Sequence, residues 1–153
     1  MDIRRLLRAI LQFRDLRDWG QFHTPKDLAA AVSIETSELQ ELFLWKTEPQ
    51  IADLVKSAKG KNRLAEEVGD VLIYLLLFSH EVGIDAVQAA HRKLVANAKK
   101  YPVNLSKGKA TKYTELQTSE ALESEADGDA ARRDESTVAR QQYLFPPDPP
   151  LVH

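Results

Sequence analysis

The chain is predicted to be all-α, with four principal helices followed by a tail that brings no core of its own. Three observations predict this. Apolar residues recur at three- and four-residue spacing in four separate segments. Those segments are bounded by recognisable start and stop signals. And the apolar content, 43% of 153 residues, is concentrated before residue 102.

The first helix is expected from Ile3 to about Arg17, with Asp2 as N-cap. Ile3, Leu6, Leu7, Ile10 and Phe13 share one face and the arginines cover the other. Gly20 breaks that pattern. "HTPKD" then opens a second helix, Pro25 to about Leu44: Thr24 caps it, Pro25 takes the first helical position and Asp27 lies near the positive end of the helix dipole. Lys46 to Asn62 is read as a connection holding one short helical turn, "PQIADLVKSA", ended by Lys59-Gly60-Lys61. A third helix follows, about Asn62 to Val82. It is apolar on every side from Val71 to Phe78, which predicts the most buried helix, and Gly83 is placed as its C-terminal cap. Asp85 opens a fourth helix with Asp-x-x-Gln, and Tyr101-Pro102 closes it because proline cannot continue a helix.

Beyond Pro102 the character changes. "ESEADGDAARRDES" is charged and small, and "FPPDPP" is proline-rich. Such a stretch cannot bury enough apolar surface to offset its ordering entropy. The expected organisation is one domain over 1–103 and an acidic, Pro-rich, disordered tail over 104–153, in which Tyr143-Leu144-Phe145 is a lone apolar triplet.

Composition excludes several classes of function. A net charge of −2 gives no electrostatic case for binding nucleic acid or an acidic membrane surface. The absence of cysteine removes disulfides, thiolate metal sites and Cys nucleophiles, and fits a reducing cytoplasm. Arg4, Arg5 and Arg8 interrupt any signal-peptide core. The longest apolar run, Val71 to Phe78, falls far short of the roughly 20 residues a membrane span needs.

The informative feature is a repeated pair of carboxylates. "SIETSELQELF" places Glu35 and Glu38 on the stripe that also holds Leu28, Ala31, Val32, Leu39 and Leu42, with Glu41 one turn further. "LAEEVGDVLIYLLLF" places Glu67 and Asp70 at the same three-residue spacing at the entry to the most apolar helix. Residues three apart share a face, so two such helices packed together bring four negative charges beside apolar surface. Many helices carry one such pair on a solvated face; two pairs about 30 residues apart, both joined to apolar stripes, point elsewhere. Bare, the cluster would repel itself and draw protons. A divalent cation removes the conflict. Oxygen ligands select a hard ion, Mg²⁺ first and Mn²⁺ as a substitute, and Mg²⁺ bound by a few carboxylates completes its shell with water and substrate phosphates. A phosphorylated substrate is thereby implied.

Lys93, Asn97 and Lys100 recur at three- and four-residue spacing on the fourth helix, and suit phosphate oxygens. Cations at a helix C-terminus are also expected on dipole grounds alone. Trp19, Phe22 and His23 lie between the first two helices and Trp45 ends the second, where flat rings can stack on a base. Ordinary packing is the alternative role, and is the expectation for Phe22. His23 has no Cys or second His at ligand spacing, so it is not read as a zinc ligand.

Over residues 2 to 102 the chain resembles the MazG-like all-α nucleoside triphosphate pyrophosphatases, and within them the dCTP pyrophosphatase branch. The resemblance rests on "DWGQFHTPKDLA", "ETSELQELFLWK", "EEVGDVLIYL" and "NAKKYP", in that order. It implies a four-helix bundle, assembled as a dimer or tetramer, that uses Mg²⁺ to cleave a nucleoside triphosphate, dCTP or a modified dCTP, to the monophosphate and pyrophosphate. By the same resemblance Glu35, Glu38, Glu67 and Asp70 are the metal ligands. Trp19, Gly20, Gln21, Phe22 and His23 form the base-binding segment, Trp45 and Tyr74 line the nucleotide site, and Lys93, Asn97 and Lys100 meet the phosphates, Lys100 standing where an Arg is common. Two further departures are Ile34 and Ser37, where the family often has Gly, and Ile10, where some dCTP-specific members carry His. The tail is not part of the family pattern.

The chemistry that follows is metal-assisted attack of water on the α-phosphorus, with Glu38 and Glu41 the candidates for general base. Two rival readings are a non-catalytic helical module whose acidic stripe binds a basic partner, and a related hydrolase, such as a dUTPase, with another base or cleavage preference.

Overall fold

The computed structural model describes residues 2–115. Every regular element among them is helical, as the sequence predicts. The backbone divides into two compact units between Ala86 and Val87. The first holds α1 (Ile3–Asp15), a 3-10 helix (Trp19–Phe22), α2 (Pro25–Glu41), α3 (Glu48–Lys56) and α4 (Ala58–Glu81); the second carries α5 (Ala86–Lys100) and α6 (Val103–Ser106). Four of these are the expected principal helices. With α3 and α6 the count among the described residues is six.

Local chemistry accounts for the boundaries. Asp2 accepts the Arg5 N–H at 2.8 Å and starts α1. Thr24 accepts the Asp27 N–H, and its hydroxyl donates to the Asp27 carboxylate, at the start of α2. Gly83, at φ +68°, follows α4 in the left-handed conformation expected of a terminating glycine. The expected short turn is a full helix because Gln50 accepts the Thr47 backbone N–H at 2.8 Å, half of a capping box.

The start of the long helix differs from the expectation. Lys59-Gly60-Lys61 does not end a turn; it lies inside α4, which begins at Ala58. The reason is steric. Gly60 is buried where a Cβ would stand 2.0 Å from the Leu54 carbonyl oxygen, so the glycine permits α3 and α4 to meet. An alanine inside a helix is ordinarily stabilising relative to glycine by about 1 kcal/mol. Here the sign should invert: Gly60→Ala is expected to destabilise by about 3 kcal/mol, because a backbone carbonyl cannot step aside. A urea midpoint equal to wild type would mean that the two helices are not held this closely.

The core of the first unit is small. Ile10 of α1, Leu28 of α2 and Leu76 and Leu77 of α4 form its buried centre, with Ile3, Leu6, Leu7, Ile73, Tyr74 and Phe78 packed around them. Expected to be the most buried helix, α4 has more buried residues than any other described helix, Gly60, Leu76, Leu77 and Ser79, but not on every face. Val68, Leu72 and Leu75 follow one another at helical spacing, and they are 53%, 36% and 41% exposed. One face of α4 meets α1 and α2; the apolar residues of the opposite face are exposed among the described residues.

In the second unit Tyr113 stands edge-on to Tyr101, ring centroids 6.2 Å apart. This contact and most of α6 lie beyond the boundary expected at residue 103. The remainder of the tail, with Tyr143-Leu144-Phe145, lies outside the described residues. No helix among the described residues is long and apolar enough to cross a membrane.

Candidate active site

The question posed by the carboxylates has a geometric answer. Leu28, Ala31, Val32, Leu39 and Leu42 form the inward stripe of α2, and Glu35 shares it, half-buried. Glu38 is exposed, at the edge of the stripe. From α4, half-buried Glu67 faces the same place. One oxygen from each of Glu35, Glu38 and Glu67 lies within 4.8 Å of the other two. Two helices packed through their apolar stripes thus bring together side chains 32 residues apart in sequence.

Burial pushes the Glu35 carboxyl above its ordinary value of 4.5, and the charges of Glu38, Asp70 and Glu67 add to the shift in that order. Asp70 is exposed and is not one of the three converging groups, yet its charge reaches Glu35. No lysine or arginine among the described residues forms an ion pair with any of them; Arg14–Asp15 and Lys26–Asp27 pair elsewhere.

The donor set fits a hard divalent cation. Mg–oxygen bonds of about 2.1 Å put ligands on opposite sides of an octahedron about 4.2 Å apart. Adjacent corners of the octahedron lie about 3 Å apart, and the three glutamate oxygens, all within 4.8 Å of one another, can close to such spacings by rotamer changes. Glu35, Glu38 and Glu67 would hold the ion, with the Asp70 charge felt at Glu35.

The aromatic groups present surface rather than fill space. Trp19 stands edge-on to Phe13, centroids 5.9 Å apart, and the Arg17 guanidinium lies 3.6 Å over the Phe13 ring and 5.8 Å from that of Trp19. Phe22 is 63% exposed, so the packing role expected for it is not met among the described residues. Gln21 donates to the backbone and side chain of Asp18 at 3.0 and 2.9 Å, and Gly20 lies beside Arg14. Half-buried His23 has its Nδ1 atom buried without a partner among the described residues. Trp45 is 93% exposed and adopts φ +60°, a left-handed conformation that disfavours any side chain. Tyr74 packs half-buried against the core. Glu41 is exposed.

Lys93, Asn97 and Lys100 lie on α5 in the second unit, the lysines exposed and Asn97 half-buried. The Lys100 ammonium stands 5.1 Å from the Tyr113 ring, a contact within cation–π reach. Sequence reasoning did not single out Phe13 and Arg17 as the frame of Trp19. Their four-residue spacing on one helix face was the available signal.

An all-helical chain with converging carboxylates from two helices is the arrangement expected of the MazG-like family, and the chain belongs to it: the family model matches residues 30–116. That stretch contains both carboxylate pairs. The chain is 40% identical to dCTP pyrophosphatase 1 of Bos taurus, across 89% of this chain and 79% of that one. With dCTP pyrophosphatase 1 of Homo sapiens the identity is 39%, across 84% and 74%. A solved pyrophosphatase from Archaeoglobus fulgidus DSM 4304 shares the fold, with a TM-score of 0.61 and 39% identity over 65% of this chain and 92% of that one.

Proposed function

We propose that the protein is a nucleoside triphosphate pyrophosphohydrolase that cleaves a deoxynucleoside triphosphate, dCTP or a modified dCTP, to the monophosphate and diphosphate. The observation that carries this reading is the meeting of Glu35, Glu38 and Glu67 without a cationic partner. The names of the relatives supply the substrate class.

Glu35, Glu38 and Glu67, with Asp70, would hold Mg²⁺, for which Mn²⁺ could substitute. Such an ion would supply Lewis-acid polarisation of the phosphoryl oxygens. Glu38 and Glu41, both exposed, are the carboxylates able to take a proton from the attacking water. The water oxygen forms a bond to the α-phosphorus, the bond from that phosphorus to the bridging oxygen breaks, and diphosphate leaves. Lys93 and Lys100, with Asn97, neutralise and orient the phosphate oxygens. Trp19, Phe22 and Trp45 offer faces for the base, Tyr74 and the Gly20–Gln21 turn shape the pocket, and the orphaned His23 Nδ1 is available to read the base edge.

The uncovered apolar face of α4 supports assembly as a homo-oligomer, dimer or tetramer, since a stripe of exposed leucine and valine marks a contact surface. Action on a cytoplasmic nucleotide pool is part of the proposal.

Incubation with a panel of deoxynucleoside triphosphates and Mg²⁺, followed by product identification, tests the reading. Monophosphate with diphosphate supports it. Nucleoside diphosphate with phosphate would overturn the cleavage position, and no turnover would favour a binding module. Trp45 offers a second check. Trp45→Gly removes the ring and relieves the left-handed strain, so thermal stability should hold or rise, while KM for the nucleotide increases about tenfold through lost stacking. An unchanged KM would remove Trp45 from the site.

A further inference from the structure

A cavity of about 440 Å³ lies where the end of α2, α3 and the start of α4 meet, and none of the site residues described above lines it. Its chemistry is opposite to that of the carboxylate cluster. Lys46, Lys59 and Arg63 line it against a single carboxylate, Asp53, an excess of two positive charges. None of the three cations forms an ion pair among the described residues. Lys59 and Arg63 are four apart on α4 and so share a face. Lys46 follows α2, so the positive charges come from two sides. The Ser57 hydroxyl, whose oxygen accepts the Gly60 N–H at 3.1 Å, also lines the cavity and keeps its proton to donate. The N-terminal end of the 24-residue α4 adds its positive dipole.

We propose that this cavity is a binding site for a condensed phosphate anion, diphosphate in its simplest form, separate from the carboxylate site. A group of high negative charge is needed to outweigh Asp53 and to satisfy cations on two elements at once. The oxygens of two linked phosphates reach further than those of one, and the volume exceeds what a single phosphate fills. The cavity floor is stiff, because Gly60 is locked under the Leu54 carbonyl. The proposal rests on the cavity alone and does not depend on the hydrolase reading.

The test is calorimetric titration of sodium diphosphate into the full chain after its metal has been stripped and the chelator dialysed away, so that the carboxylate site has no ion through which to hold phosphate. Diphosphate should bind once per chain, more weakly as salt rises. Lys59→Gln combined with Arg63→Gln should weaken it about tenfold or more, with helical content by circular dichroism unchanged. Orthophosphate and dCMP should bind about tenfold more weakly than diphosphate, having fewer charged oxygens to share. Glu38→Gln and Lys93→Gln should leave the affinity within about twofold, since neither residue lines the cavity. Wild-type affinity in the double variant would overturn the assignment, as would loss of binding in Lys93→Gln. Equal affinity for orthophosphate or dCMP would overturn the requirement for a condensed phosphate.

Discussion

Asp70→Asn or Glu38→Gln lowers turnover of the nucleotide on the order of a hundred- to a thousandfold, the scale on which removal of one electrostatic contact to the reacting group is felt, and leaves the helical content of the protein intact. The two substitutions keep shape and hydrogen-bonding capacity but remove a charge. Both positions are exposed, and neither is part of the buried core. Neither change therefore creates a cavity or strands a buried polar group, the usual routes to large destabilisation. The two act differently: Glu38 offers an oxygen directly to the cluster, whereas Asp70 stands outside it within charge reach of Glu35. Mg²⁺ titrations should show the larger loss of metal affinity for Glu38→Gln. Circular dichroism with steady-state kinetics decides the matter; loss of fold in either variant would make the carboxylates structural.

Glu35→Gln should produce two effects of opposite sign. The Glu35 carboxyl is raised above 4.5, first by burial and then by its three acidic neighbours. The folded state therefore holds the proton more tightly than the unfolded chain does. The stability linked to that proton is fully present below the unfolded value and is lost as pH rises through the raised one. Above the raised value the metal-free protein carries an ionised Glu35 in a poorly solvated place, and Gln removes that cost. Without metal the variant should melt a few °C above wild type, on the order expected for about 1 kcal/mol in a chain of this size. With Mg²⁺ at a hundredfold its dissociation constant, wild type gains about 2.7 kcal/mol and the variant much less, so the order reverses. Asp2 and Asp27, whose carboxyls are held below 3.8 by the Arg5 N–H and the Thr24 hydroxyl respectively, act at the acid end and leave this window undisturbed. Melting curves with and without metal, at neutral pH and nearer 5, check both signs. A metal-free variant less stable than wild type would show that Glu35 contributes to the fold through its charge.

Much of this was legible in the sequence because it is local. Thr24-Pro25, Asp2 and Gly83 act within one helical turn of themselves, so α1 and α2 begin, and α4 ends, within a residue of where they were read. Glu35 and Glu67 were visible because each interrupts an apolar stripe at the same period, and two stripes that pack together bring their interruptions together. What escaped depended on neighbours distant in sequence or absent. Gly60 reads as a breaker until the Leu54 carbonyl is seen above it. The apolar girdle of α4 reads as the most buried helix, yet Val68, Leu72 and Leu75 are left exposed among the described residues. The basic lining of Lys46, Lys59 and Arg63 comes from a corner between elements, with no periodicity to announce it.

Ser57 has a consequence for motion. Its backbone N–H donates to Asp53 at the close of α3, while its carbonyl accepts from Lys61 and its hydroxyl oxygen from Gly60 at the opening of α4. A single residue fastens both rods, which leaves the elbow no slack. The joint is tied from both sides, and the long basic side chains that rim the hollow beside it sweep its mouth on the timescale of rotamer hops.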